Sequence, residues 1–253
     1  MLLSVYPWGH EGFGFDPIAI LTPDGPRNPD EVADSTFIRR YYRLGTRYQV
    51  RVDGVPAGEA AVVKSRPSPC MERVSYADVT LTSALPEQWH GMASDVFRAA
   101  PARPLMRPAT QAEQGMLGLL GDSILAARGV PPDQRATAQR SAMFAVTVAG
   151  FEGPVLVGTF TVPMRGRKSL NAYTMMLVAE RRGGRYGPTF VFFAREGRGV
   201  AARSFWDAAD LDGDGVPELV MRASATSGWW GYTILKRGTD GWAEIYQGGG
   251  YTC

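Results

Sequence analysis

The stretch ARSFWDAADLDGDGVPELVMRAS, Ala202–Ser224, reads as two short strands around an acidic loop. Counting from Asp210, carboxylates fall at positions 1, 3 and 5 (Asp210, Asp212, Asp214), Gly215 at 6 and Glu218 at 9. That order winds alternate side chains inward and brings the backbone carbonyl of the next residue, Val216, round towards an ion. Calcium suits the pattern, being a hard cation that takes about 6–8 oxygen ligands at about 2.3–2.6 Å. Without a positive charge among them, two such carboxylates about 4 Å apart repel by about 4 kcal/mol at an effective dielectric of about 20. An EF-hand would need a bidentate Glu at position 12, where Met221 stands, and ELVMRAS alternates like a strand. The expectation is therefore a calcium loop between two strands, with Asp210, Asp212, Asp214, Val216 and Glu218 as ligands. The alternative is a solvated acidic turn without an ion.

Outward from the loop, the same strand–loop–strand–strand–turn–strand order is written twice. MFAVTVAGFEGPVLVGTFTV and AYTMMLVAERRGGRYGPTFVFF make one unit, and the acidic stretch with GYTILKRGTDGWAEIYQGG makes the second. DLDGDGVPELV resembles the loop of FG-GAP and VCBS-type repeats, the blades of integrin α-type propellers. Asp210, Asp212, Asp214 and Gly215 match that pattern, and Glu218 stands where Asp is usual. AGFEGPVLV, 149–157, would be the same loop with its ligands lost. The resemblance implies a calcium-binding β unit, a periplasmic or secreted location and roles in adhesion, assembly or carbohydrate binding, without choosing among them.

The remaining chain adds a β-rich part and a helix. Residues 1–105 carry a hairpin pattern in YQVRVDGVPAGEAAVVKS, a strand in YADVTLTS and a short strand at Ile18–Leu21. Thr110 with Glu113 is a capping box, and Met116, Leu117, Leu120, Ile124 and Leu125 form an apolar stripe that ends at Gly129 and Pro131. Gly115, Gly118 and Gly121 inside that helix suggest close packing on another backbone. The expected organisation is a β-rich part over 1–105, a helix and linker over 106–139, and two degenerate FG-GAP-like β units over 140–253. The expected fold class is mainly β with one main helix.

Composition excludes some function classes. The 253 residues carry 27 basic and 25 acidic groups, a balance that gives no reason to expect a nucleic-acid partner. No run of apolar residues is long enough for a membrane-spanning helix, and the first residues lack the pattern of a signal peptide. His10 and His90 are the only histidines, and neither a GxSxG elbow nor a phosphate-binding glycine loop is present. Cys70 and Cys253 are either a disulfide or two unrelated thiols. Trp229 and Trp230, and the turn with Arg181, Arg182 and Arg185, are candidate contact points. The Trp pair suits a protein or a sugar, and the arginines suit an acidic partner or lipid head groups. The reading that follows is a non-catalytic, calcium-stabilised structural or interaction protein, such as an accessory subunit of a cell-envelope assembly with a protein partner. Its alternative is an extracytoplasmic hydrolase or carbohydrate-active enzyme with an unrecognised carboxylate site.

Overall fold

The computed structural model describes residues 1–7, 12–52, 54–67, 75–82, 91–97, 105–164, 167–195, 202–225 and 228–252. His10, His90, Cys70 and Cys253 lie outside them, and with them the proposed disulfide.

The first part of the chain closes into a barrel. Its strands are β1 (Leu2–Pro7), β2 (Phe13–Thr22), β3 (Gly25–Arg27), β4 (Arg47–Val52), β5 (Val55–Pro67), β6 (Ser75–Leu81) and β7 (Gly91–Ser94). The order β1-β7-β4-β5-β6-β2 is antiparallel throughout, β1 pairs back onto β2 to complete six strands, and β3 extends β2 as a hairpin. Alternation along each strand sends Leu3, Val5, Phe15, Tyr48, Val50, Val62 and Val79 inside. Helix α1 (Asp34–Tyr41) plugs the barrel with Phe37 and Tyr41, and Tyr42 follows them in. The Phe37 ring meets the Tyr42 ring edge-on at 5.2 Å.

The remainder forms two sheets. β8 (Met106–Pro108) precedes α2 (Gln111–Ala127) and the single turn α3 (Pro132–Arg135). β9 (Gln139–Val146), β10 (Val155–Met164), β11 (Arg167–Arg182) and β12 (Arg185–Arg195) then form a meander with β8 at its edge. β13 (Ala202–Ala209), β14 (Glu218–Ser224), β15 (Trp229–Arg237) and β16 (Trp242–Thr252) form the second meander. The fold is mainly β and antiparallel, with α2 as the one main helix the sequence suggested and two shorter helices beside it among the described residues. The eight-residue α1 has only two buried apolar side chains, too few to register as a periodic stripe.

The parts stack in layers. α2 lays Leu117 and Leu125 on one face of the five-stranded sheet, against Leu156, Phe160, Met175 and Leu177. The other face of that sheet presents Val155, Val157, Met176 and Val178 to Phe205, Leu219, Met221 and Leu235 of the four-stranded sheet. The far face of the four-stranded sheet sets Val220, Tyr232, Ile234 and Tyr246 against Leu2, Ile18 and Met92 on the outside of the barrel. Strands covered on both faces need apolar residues at consecutive positions, which is why β10 and β11 read as runs and why β14, expected from ELVMRAS to alternate, instead buries Glu218, Leu219, Val220 and Met221 in succession. Buried ion pairs accompany this packing. Glu180 of β11, 2% exposed, takes Arg237 of β15 at 2.6 and 3.2 Å. Burial alone would raise its carboxyl, but Arg237 and Arg182 hold it below the usual range.

Two glycines make the layers fit. A Cβ on Gly121 of α2 would stand 2.5 Å from the Phe160 ring, so the helix can lie flat on β10 only without one. Gly249 of β16 has φ +59, and a Cβ there would stand 2.2 Å from the carbonyl oxygen of Ile18 on β2. Its amide reaches Asn28 Oδ1 at 3.4 Å, and the Tyr246 hydroxyl donates to the Ile18 carbonyl at 2.5 Å.

We expect Gly249→Ala to destabilise the protein by about 2–4 kcal/mol, through left-handed backbone strain and overpacking together; urea denaturation measures it. The capping box of α2 gives a second expectation. Glu113 is held down at about 2, from 4.5, first by its hydrogen bond with Arg107 and then by the Thr110 amide and hydroxyl. A depressed carboxylate stabilises the fold fully above about pH 4.5 and loses that contribution as pH falls through about 2. Glu113→Gln should therefore cost stability at pH 7 and almost none near pH 2. Thr110→Ala should cost about 1 kcal/mol.

Candidate metal centre

The acidic loop joins β13 to β14 and is wound by its own carboxylates. Asp210 accepts the Gly213 amide at 2.7 Å with one oxygen and the Gly215 amide at 3.1 Å with the other. Asp212 Oδ1 accepts from Asp214 N at 3.2 Å, and Asp214 Oδ1 from Val216 N at 2.8 Å. Glu218 Oε2 accepts the Leu211 amide at 2.8 Å across the loop's mouth. Gly213 and Gly215 have φ of 80 and 86, the left-handed turns that let these amides point inward.

The oxygens left over converge on one cation. Lys236, next to the point where Leu235 of β15 pairs with Leu219 of β14, sends its ammonium into the loop. It donates to Asp212 Oδ2, to Asp214 Oδ2 at 2.7 Å and to Glu218 Oε1 at 3.3 Å. Burial pulls Lys236 down, but these three carboxylates more than offset it and hold the ammonium above its usual range. The Lys236 hydrogen bond, with the Val216 amide, keeps Asp214 below the usual carboxylate range. Glu218 goes the other way. It is 2% exposed, and burial pushes it up to about 7 against the pull of the Leu211 amide and Lys236.

The donor set fits a hard divalent cation. Asp210, Asp212 and Glu218 each offer an oxygen, all within 4.8 Å of one another, and Asp214 adds a fourth carboxylate at the same ammonium. Val216 contributes its amide to the loop's winding, while its side chain packs towards the core between the sheets. The loop also forms one wall of a cleft of about 660 Å³ at the seam between barrel and sheet. Leu21, Pro23, Asp24 and Pro26 of the β2–β3 hairpin, with Val96 and Ile245, supply the other walls.

The other sequence candidates lie elsewhere. Trp229 and Trp230 begin β15, at the opposite end from Lys236. Both are half-buried. Trp230 meets Tyr232 edge-on at 5.7 Å on the barrel side. The Trp229 ring lies over Gly231 and Gly250, whose missing side chains leave a shelf for it. Arg181, Arg182 and Arg185 flank the β11–β12 turn and are exposed. There Glu152 takes the Gly184 amide at 2.7 Å and lies 3.8 Å from Arg181, while Arg182 pairs with Glu180 at 3.0 Å.

Lys236 is the residue that sequence reasoning missed. Its signal was present: pairing ELV of β14 with ILK of β15 sets the lysine beside the first residue of the strand that leaves the loop.

Lys236→Met should remove the internal cation, leave three carboxylates facing one another and destabilise the metal-free protein by about 1–3 kcal/mol. Urea denaturation in chelator measures it, and a neutral effect would mean that the ammonium is not holding the loop.

Comparison with known protein families, with curated proteins and with solved structures finds no match for this chain.

Proposed function

We propose that the protein is a non-catalytic, calcium-stabilised structural and interaction module acting outside the cytoplasm, where loops of this kind work at calcium levels of about 10⁻⁴–10⁻³ M. The observation that carries this reading is the convergence of Asp212 Oδ2, Asp214 Oδ2 and Glu218 Oε1 on a single cation position, with the other oxygens of the loop bonded to its own amides. Asp210, Asp212, Asp214 and Glu218 would hold the ion, with the Val216 carbonyl as a further ligand. Bound calcium would supply charge neutralisation and loop rigidity. Glu218 gives that charge an energetic role. Because its carboxyl binds a proton more tightly when folded, its contribution to stability falls as pH rises from about 4.5 to about 7. A divalent ion would offset that loss. The cleft beside the loop, with Val96 and Ile245 left partly exposed in it, is the surface we assign to a protein partner in the cell envelope.

Two other readings each have one observation in their favour. Lys236 already supplies a positive charge, so the loop works without metal if the ammonium is permanent. Glu218, held near neutrality beside a cleft, is the group a carboxylate-based hydrolase would use.

Melting curves with calcium and with chelator separate these. Saturation to about 100 times the dissociation constant should add about 2.7 kcal/mol, and Asp212→Ala should abolish most of that gain. Coincident curves in wild type and in Lys236→Met would leave the loop metal-free. Turnover of glycoside or ester substrates that is lost in Glu218→Gln would favour the enzyme.

A further inference from the structure

The seam between the barrel and the four-stranded sheet carries a second charged arrangement, which adjoins the acidic loop where the charge of Asp210 acts on Arg51. On the barrel's outer face one row runs across four strands: Asp16 of β2 stands opposite Ser4 of β1, Ser4 opposite Met92 of β7, and Met92 opposite Arg51 of β4. The facing sheet offers the opposite signs. Arg222 of β14 acts on Asp16, and Asp207 of β13 acts on Arg51. The barrel contributes an acid and a base, and the sheet a base and an acid.

The two halves of this crossed pattern are not equivalent. Arg51 lies 4.6 Å over the Phe97 ring, and the charges of Asp207 and Asp210 partly restore what burial takes from it. Asp16 is 0% exposed, and neither carboxyl oxygen has a hydrogen-bond partner among the described residues. Arg222 stacks between the Trp206 and Trp230 rings, at 5.4 and 5.2 Å, with its buried Nε likewise unpartnered. A carboxylate in such a place would be an unsolvated buried charge, whereas a carboxylic acid is tolerated.

We propose that Asp16 and Arg222 form a proton-operated latch: the barrel and the four-stranded sheet stay closed while Asp16 carries its proton, and the seam loosens when the proton is lost. Burial raises the Asp16 carboxyl well above its ordinary range, and Arg222 is the charge that opposes this. The other titratable groups on adjoining strands are placed differently. Tyr6 and Asp78 flank Gly14, two residues along β2, and the Tyr246 hydroxyl on β16 is engaged with the Ile18 carbonyl. Asp30 and Glu31, in the turn after β3, act on Tyr246. The sign follows from linkage. The closed form holds the Asp16 proton more tightly than the open form, so closure is favoured at low pH. It weakens by up to about tenfold per pH unit between the open-state and closed-state pKa values.

The test compares wild type with Asp16→Asn, which keeps the shape and cannot ionise. Hydrogen exchange is followed in peptides covering residues 229–252 from pH 4.5 to 7.5 and corrected for intrinsic rates, with β10 and β11 as the internal reference. We expect wild-type protection over 229–252 to fall relative to the variant as pH rises, while the reference stays level. Parallel profiles would overturn the latch. Arg222→Met, which removes the charge favouring ionisation, should extend the fall to higher pH; an unchanged profile would overturn the pairing. If Asp16→Asn does not fold, the carboxyl carbon resonance of Asp16 in wild type decides the matter. A proton retained at pH 6 supports the latch, and ionisation in the ordinary carboxylate range overturns it.

Discussion

The contact between the Ile18 carbonyl and the backbone of Gly249 governs how the molecule is assembled. The barrel and the four-stranded sheet meet there main chain to main chain, closer than any side chain permits. Tyr246 closes over the same carbonyl, and Asn28 takes the Gly249 amide. With that approach fixed, Val220, Tyr232 and Ile234 reach Leu2, Ile18 and Met92, and the opposing charges of the seam fall into line. The cleft beside the acidic loop lies between that loop and the β2–β3 hairpin, at the same seam.

Buried charges around the four-stranded sheet meet opposite charges from a neighbouring layer or strand. Glu180 meets Arg237, Arg203 meets Glu244 at 2.5 Å, and Lys236 meets the acidic loop. Such pairs add little net stability compared with apolar contacts, because both partners give up water. Asp16 is the exception, the one acid of the seam without a hydrogen bond among the described residues, and it is the place where proton and structure are coupled.

The legible parts of the sequence were those with a local cause. The capping box at Thr110 and Glu113 fixed the start of α2, while its glycines pack not on another backbone, as expected, but under side chains, Gly118 under Arg140 and Gly121 under Phe160, with Gly115 open. The two consecutive meanders were readable from turn spacing. Closure of the first part into a barrel was not, because it depends on β1 pairing with both β2 and β7, and β7 is more than 80 residues away in sequence. The same limit applies to the acidic loop. Its carboxylates were evident from spacing, but the lysine that reaches them comes from a strand two elements on, and only the pairing of β14 with β15 brings it there. Asp16 gave no signal at all, since one acid in an apolar strand looks like any solvent-facing position until the opposite layer is in place.

The position of the four-stranded sheet has a consequence for synthesis. Residues 202–252 form the layer that lies between the barrel and the five-stranded sheet, yet they are translated after both. A nascent chain that folds its earlier parts first presents two apolar faces to the cell, Leu2, Ile18 and Met92 on one and Val155, Val157 and Met176 on the other. At about 5–20 residues per second the missing layer takes several seconds to emerge, long enough for each face to find a wrong partner. The order of elements along the chain thus leaves both faces uncovered until the last layer is made, and losing that layer would uncover two apolar faces rather than one.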